Sequence, residues 1–292
     1  MTFWTELIGQ PFTVEQFDAN GTPTRALVKG SGEPVIFLHG ISGHLEAFIP
    51  AAARFGKGFE VHLIDMLGHG WTGKPGGPIT IDRLAAHVLA YMDARGIAKA
   101  HLAGISLGGW VTGWIAANHP DRLLSAVMIA AAGNPAMARP EVCDYVRKST
   151  LAGVMSDDRA ETLRRIQSVV FKPESADDEM VDIRYMIYHT PEFRAKIDGL
   201  LALTDPETYT RFALTPELLK QVTAPVLLVW GEDDTRSGVA DAEFLLAYLP
   251  QAKMVQMADT GHWPPYERPA DFVAIVTAFL HGGLAAVTPG RQ

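Results

Sequence analysis

The sequence predicts an α/β chain, a mostly parallel, doubly wound sheet interrupted by an inserted helical segment. Three observations predict it. Short runs that are apolar on both faces, such as Val35 to Leu38 and Val61 to Ile64, suit central strands covered by helices on both sides. Helix-like segments alternate with these runs, the rhythm of strand, crossover helix and strand. From Ala136 to about Thr215 that rhythm stops. This stretch is polar and helix-like, broken by Pro140, Pro173, Pro191 and Pro206, and too long for an ordinary loop.

Taken in order, Phe12 to Phe17 and Arg25 to Lys29 flank Asn20-Gly21 and read as an opening hairpin. Val35 to Leu38 stops at His39-Gly40, and Val61 to Ile64 stops at Asp65. Ala47 to Phe55, Ile81 to Arg95 and Leu107 to Asn118 read as helices, with Ala98 to Ala103 as a strand before the last of them. Leu123 to Ala132 gives a further strand, broken by Gly133-Asn134-Pro135. After the insertion, Val226 to Trp230 and Lys253 to Met257 are strands and Phe272 to Leu280 is the closing helix. The expected organisation is a core over 1–135, a helical lid over 136–215, the rest of the core over 216–282 and a frayed tail over 283–292.

A formal charge of −8 with no Lys/Arg stripe argues against nucleic acid as a partner. The one cysteine, Cys143, has no partner for an intramolecular disulfide, which fits a reducing compartment. The first ten residues include Glu6 and lack a basic region followed by an apolar core, so no signal peptide is expected. No apolar run approaches the ~20 residues that span a bilayer. A cytoplasmic protein that acts on a small molecule, without a membrane, is the expectation.

Chemistry concentrates at Gly104-Ile105-Ser106-Leu107-Gly108, a Gly-x-Ser-x-Gly turn between a predicted strand and a predicted helix. Flanking glycines allow a sharp turn that pushes the serine hydroxyl clear of the sheet, beside the free amides of a helix start. Such a hydroxyl needs a base, itself oriented by an acid. Of the ten histidines, His262 alone follows the last strand, in Thr260-Gly261-His262-Trp263. Glu232, Asp233 and Asp234 follow the penultimate strand and compete as the acid, with Asp234 favoured because the turn after Gly231 points the third carboxylate back across the sheet edge. The amides of Leu107 and of Ile41, in the loop His39-Gly40-Ile41-Ser42-Gly43, are the expected oxyanion donors. Asp65 and His39 read as structural, and Trp110 with Trp114 as core packing. No residue spacing suggests a metal and no glycine-rich loop fits a nucleotide, so no cofactor is expected.

From Gly40 through the serine turn to Gly261-His262-Trp263, nearly the whole chain resembles the α/β-hydrolase superfamily. Within it, the chain is most similar to the meta-cleavage-product hydrolases, which break a carbon–carbon bond in 2-hydroxy-6-oxo-2,4-dienoates. Trp263 directly after the histidine and the segment Asp178 to Arg184 carry that similarity. The resemblance implies a Ser106–His262–Asp234 triad, an anionic dienoate as substrate and substrate contacts from Gly40, Ser42, Arg184 and Trp263. Arg184 would bind the dienoate carboxylate, and Trp263 would pack against the diene. The chain departs from the pattern at Ile105 and at Glu46-Ala47, where asparagines are usual. Related enzymes are often dimers or larger, which admits a homo-oligomer. A carboxylesterase or lactonase with the same triad is the main alternative; a cofactor-free haloperoxidase and a non-catalytic receptor are the others.

Overall fold

The computed structural model describes residues 2–291. One nine-stranded sheet runs through it in the order β1-β2-β4-β3-β5-β6-β7-β8-β9. Its strands are β1 (Phe12–Ala19), β2 (Thr22–Gly30), β3 (Gly32–Leu38), β4 (Gly58–Ile64), β5 (Ala100–Ile105), β6 (Leu123–Ile129), β7 (Val226–Gly231), β8 (Ala252–Met257) and β9 (Gly290–Arg291). The pairs β1–β2 and β2–β4 are antiparallel, and every later pair is parallel. Asn20 and Gly21 have φ of 52° and 81°, the two positive values that a two-residue hairpin turn matching strand twist requires.

The helices are α1 (Phe3–Glu6), α2 (Ile49–Ala52), α3 (Ile81–Ala94), α4 (Leu107–Asn118), α5 (Pro140–Met155), α6 (Arg159–Gln167), α7 (Asp178–Tyr188), α8 (Pro191–Leu200), α9 (Pro206–Phe212), α10 (Pro216–Leu219), α11 (Val239–Tyr248), α12 (Pro264–Glu267) and α13 (Pro269–Gly282). Strands β5 and β7 are buried at every position because helices cover both faces. Alternate residues of β3 divide between two cores: Ile36 and Leu38 pack with Leu84, Val88 and Val111, whereas Val35 and Phe37 pack with Phe272, Val276 and Phe279. The stretch from Pro269 to Ala286 is long and apolar enough to cross a membrane by composition. Here its Phe272, Val276 and Phe279 face belongs to that second core.

Helices α5 to α10 occupy the stretch between β6 and β7, with no strand among its described residues. Two expected elements differ. The helix expected over Ala47 to Phe55 is a 3₁₀ turn, Leu45–Phe48, followed by the single turn of α2, with Pro50 in its first turn. The tail after Gly283 is not frayed. Its Gly290 and Arg291 pair with Val255 and Gln256, and Lys253 Nζ donates to the Val287 carbonyl at 2.9 Å. The exposed edge of β8 supplies unpaired backbone groups that this segment satisfies.

Buried histidines recur through the core, and three of them hydrogen-bond a neutral group. His62 Nδ1 meets Tyr91 Oη at 2.8 Å, His87 Nε2 meets Thr24 Oγ1 at 2.8 Å, and His39 Nε2 accepts from the Met66 amide at 3.0 Å. Burial lowers the pKa of His39 to about 3 and of His62 and His87 to about 4. These folded values lie below the unfolded ~6.5. Their neutral forms therefore support the fold fully above that pH, and the support is lost as pH falls from ~6.5 toward 4. Each uncompensated histidine costs on the order of 2 kcal/mol by pH 5. Urea unfolding should thus give a clearly lower midpoint at pH 5 than at pH 7.5, and equal midpoints would refute the assignment of neutral buried imidazoles.

Candidate active site

Strand β5 ends at Ile105, and Ser106 follows with φ 54° and ψ −114° before α4 begins at Leu107. A non-glycine residue in that region is strained and persists only where its surroundings hold it. Three backbone hydrogen bonds do so. The Ser106 amide donates to Ile129 O at 2.9 Å, and its carbonyl accepts from the Trp110 and Ala132 amides, each at 3.0 Å. The neighbouring glycines are a steric necessity. A Cβ on Gly104 would lie 2.0 Å from Gly108 O, and one on Gly108 would lie 2.0 Å from Leu38 O. Backbone atoms cannot swing aside as side-chain tips can, so only glycine lets β3, β5 and α4 approach this closely. Ser106 thereby stands at the carboxyl end of a central strand, next to the Leu107 amide in the first turn of α4, where no intrahelical acceptor exists.

His262 comes from the loop after β8. Its Nδ1 is 2.8 Å from Asp234 Oδ2, and both side chains are buried. The other Asp234 oxygen accepts from the amides of Arg236 (2.7 Å) and Ser237 (3.1 Å), which fixes the carboxylate plane. Of the competing acids, Glu232 faces Arg291 at 3.0 Å and Asp233 is exposed. Asp234 alone of the three meets His262. Glu267 braces the histidine loop from below: Oε1 accepts from the Trp263 amide (2.9 Å), and Oε2 from the amides of Gly261 (3.0 Å) and Phe171 (2.7 Å). The His262 amide itself donates to Val169 O at 2.9 Å, on the segment after α6.

Two cavities meet at Ser106, Ile41 and His262. The first, about 70 Å³, is lined by Gly40, Ile105, Arg184, Trp263 and Tyr266 among others. The position of a Cβ on Gly40 would lie 3.8 Å from Ser106 Oγ, so this loop runs directly over the serine. Arg184, on α7, is 3 % exposed, and its guanidinium sits 4.8 Å from the Trp263 ring centroid. Its Nε and Nη2 have no hydrogen-bond partner among the described residues. Burial lowers its pKa from the ordinary arginine value, and the Arg165 charge adds to that. A buried cation with two N–H-bearing nitrogens left unpaired is costly, and an anion in this cavity would relieve the cost.

The second cavity, about 450 Å³, lies on the other side of Ser106, with Leu107, Trp110, Val142, Val146 and Leu203 in its walls. Trp110, expected as core packing, is thus also a cavity wall, held by its Nε1 donating to Phe212 O at 2.8 Å. Ser42 lines neither cavity. With φ 54° in the turn closed by the Gly43 amide on Gly40 O (3.0 Å), it is fully buried, and its hydroxyl meets Tyr188 Oη (3.0 Å) and Arg165 Nη2 (3.1 Å). Sequence reasoning missed Arg165, which lines both cavities, and Arg236, which lines the second. No local pattern marks either arginine.

Behind the loop of Gly40 and Ile41 lies a buried ionic cluster. Arg25 bonds both Glu46 oxygens at 2.8 Å and Asp65 Oδ2 at 2.7 Å, while His44 Nδ1 meets Glu46 Oε2 at 2.9 Å. Asp65 also accepts from the Leu45 and Trp71 amides, each at 2.8 Å. Glu46 is therefore a brace for the loop and does not line either cavity.

A family model described as alpha/beta hydrolase fold matches residues 33–269. The 2-hydroxy-6-oxo-6-(2'-aminophenyl)hexa-2,4-dienoic acid hydrolase of Metapseudomonas resinovorans is 29 % identical over 91 % of this chain and 91 % of its own. The monoacylglycerol lipase abhd6-B of Xenopus laevis is 27 % identical over 90 % of this chain and 78 % of its own. Among solved structures, the 2-hydroxy-6-oxo-6-phenylhexa-2,4-dienoate hydrolase from Rhodococcus sp. strain RHA1 superposes with a TM-score of 0.82 at 23 % identity, over 94 % of this chain and all of that one, which is a likeness of fold. The match spans β3 to the start of α13 and so takes in the serine turn, the helical insertion and the histidine loop; the chain belongs to the alpha/beta hydrolase fold family.

Proposed function

We propose that the protein hydrolyses a carbon–carbon bond in a 2-hydroxy-6-oxo-2,4-dienoate, with Ser106 as nucleophile, His262 as base and Asp234 as its orienting acid. The observation that carries this reading is Arg184, a buried guanidinium with two unpartnered N–H groups in the same small cavity as Ser106 and His262. A planar fork of donors suits a carboxylate. The smaller cavity brings Arg184 and Ser106 together, and the larger one, about 450 Å³, has room for the substituent on the distal carbonyl.

In this mechanism Arg184 anchors the carboxylate while the dienol converts to its keto form, with His262 moving the proton. Ser106 Oγ then attacks the distal carbonyl and gives its proton to His262, whose Nδ1–H remains on Asp234. The amides of Leu107 and Ile41 hold the oxyanion. Collapse of the tetrahedral intermediate breaks the adjacent carbon–carbon bond. The electron pair passes into the conjugated keto acid, His262 returns the proton, and 2-hydroxypenta-2,4-dienoate leaves. Water activated by His262 then frees the acyl group from Ser106. Without the tautomer the leaving carbanion has nowhere to delocalise, which is why an anchored acid is needed here and not for an ester.

The test is loss of visible absorbance of the phenyl-substituted dienoate by purified protein, beside release of p-nitrophenol from a neutral ester. Bleaching much faster than ester cleavage is expected. Ester cleavage without bleaching would instead support a carboxylesterase, the reading that the large, mainly apolar second cavity favours.

A further inference from the structure

The second cavity is large, but it is not uniformly apolar. Arg165 and Arg236 both reach its wall, and among the described residues neither has a carboxylate partner. Arg165 spends its nitrogens on the hydroxyls of Tyr188, Ser149 and Ser42. Arg236 donates Nε and Nη2 to the carbonyl and hydroxyl of Ser168, lies 4.4 Å over the Tyr145 ring, and keeps Nη1 unengaged by any described residue. With Arg184, three guanidiniums line the two cavities around Ser106.

The negative charge nearby does not balance them. Asp234 is taken by His262, and Glu141, at the wall of the second cavity, is exposed and lies 3.9 Å from Arg139. Burial first, and then the Arg165 charge, lowers the pKa of both Arg184 and Arg236. An anion at Arg184 answers one of the three cations. The others remain half-buried with only neutral side-chain hydrogen-bond partners among the described residues, and the Asp234 charge near Arg236 is shared with His262, an arrangement that a second anion would relieve. Arg236 is also fixed in place: its amide caps Asp234 Oδ1 at 2.7 Å, and its side chain is clamped between Ser168 and Tyr145.

We propose that the acyl part of the substrate is an apolar chain or ring ending in a carboxylate, which Arg236 binds with Arg165 beside it. The protein would then take a doubly acidic dienoate, with one carboxylate at Arg184 and the other across Ser106 in the second cavity. This rests on the dienoate-hydrolase reading and narrows it. The apolar walls at Trp110, Val142 and Leu203 would hold the body of the acyl group, and the distal acid takes no part in bond making or breaking. Hydrolysis would release a dicarboxylic acid together with 2-hydroxypenta-2,4-dienoate.

The experiment uses two dienoates that differ only at the far end of the 6-substituent, one a carboxylate and the other the neutral carboxamide. Wild-type protein should prefer the acid in kcat/KM by about tenfold or more. Arg236→Gln should lower that acid-to-amide ratio by about tenfold, and Arg236→Lys, which keeps the charge but not the fork, should lower it less. Arg184→Met should depress both substrates alike. If Arg236 is only a strap between Ser168 and the Asp234 loop, both substrates will fall together and the ratio will hold, which overturns the proposal. Calorimetric binding of the same pair to the Ser106→Ala protein reads the preference without turnover, and equal affinities would overturn it too. Bleaching of both dienoates with no preference removes the second anion alone. Failure to bleach or bind either removes the underlying reading and this proposal with it.

Discussion

Ser106→Ala is expected to lower kcat for dienoate hydrolysis by roughly 10⁴- to 10⁶-fold, the scale on which loss of a nucleophile acts in a serine–histidine–aspartate system. The effect should lie in kcat and not in folding. Alanine accepts the φ of 54° at this position about as well as serine, and the three hydrogen bonds that hold the turn belong to its backbone. Stability should therefore stay within about 1 kcal/mol of wild type, as for a substitution that opens no cavity and strands no polar group. Single-turnover bleaching at saturating substrate, with urea unfolding alongside, measures both. Turnover within tenfold of wild type would mean that another group attacks the carbonyl.

Arg184→Met should move activity and stability in opposite directions. The guanidinium is buried, stacked on Trp263 and short of acceptors, so its removal takes away an uncompensated charge and leaves a side chain of similar length. Replacing buried charge with a packed apolar group is often neutral or stabilising by about 1–4 kcal/mol. The lost contact with Trp263 takes back some of that, on the order of 1 kcal/mol. Dienoate kcat/KM should meanwhile fall by roughly 10²- to 10³-fold, as expected when a charge-assisted bidentate contact is lost from a dry site. Cleavage of a neutral p-nitrophenyl ester should change little. A variant that unfolds more easily would show that Arg184 is structural, and unchanged dienoate kinetics would remove it as the carboxylate anchor.

The parts of this protein that were legible in its sequence are those whose geometry is dictated locally. Gly104 and Gly108 must be glycine because of backbone atoms within a few residues or in the adjoining strand, so the turn around Ser106 can be read from a pentapeptide. The doubly wound sheet is legible for a related reason, since burial on both faces writes itself into each short run. His262 and Asp234 were picked out by position after a strand, with Asp234 favoured over Glu232 and Asp233 from the turn after Gly231 alone, and the fold brings Asp234 and no other of the three to His262. Burial of Asp234 against His262, and the outward pairing of Glu232 with Arg291, arise from packing between distant segments. Arg165 and Arg236 were invisible because nothing local tells a helix or loop arginine that lines a cavity from one in solvent. Ser42 was expected at the substrate from the family resemblance, whereas its left-handed backbone leaves the hydroxyl bonded to Tyr188 and Arg165, away from the cavity lining.

The chain between α6 and α7 carries a consequence for motion. Val169 O holds the His262 amide, the Phe171 amide holds Glu267, and Ser168 holds Arg236, so three successive ties run from the insertion to the loops bearing His262 and Asp234. An outward swing of the insertion as a rigid body would drag on all three. Displacement of the insertion and alignment of His262 with Asp234 are thus coupled through the backbone of 168–171, so widening the cavities from that side would pull on the His262–Asp234 contact.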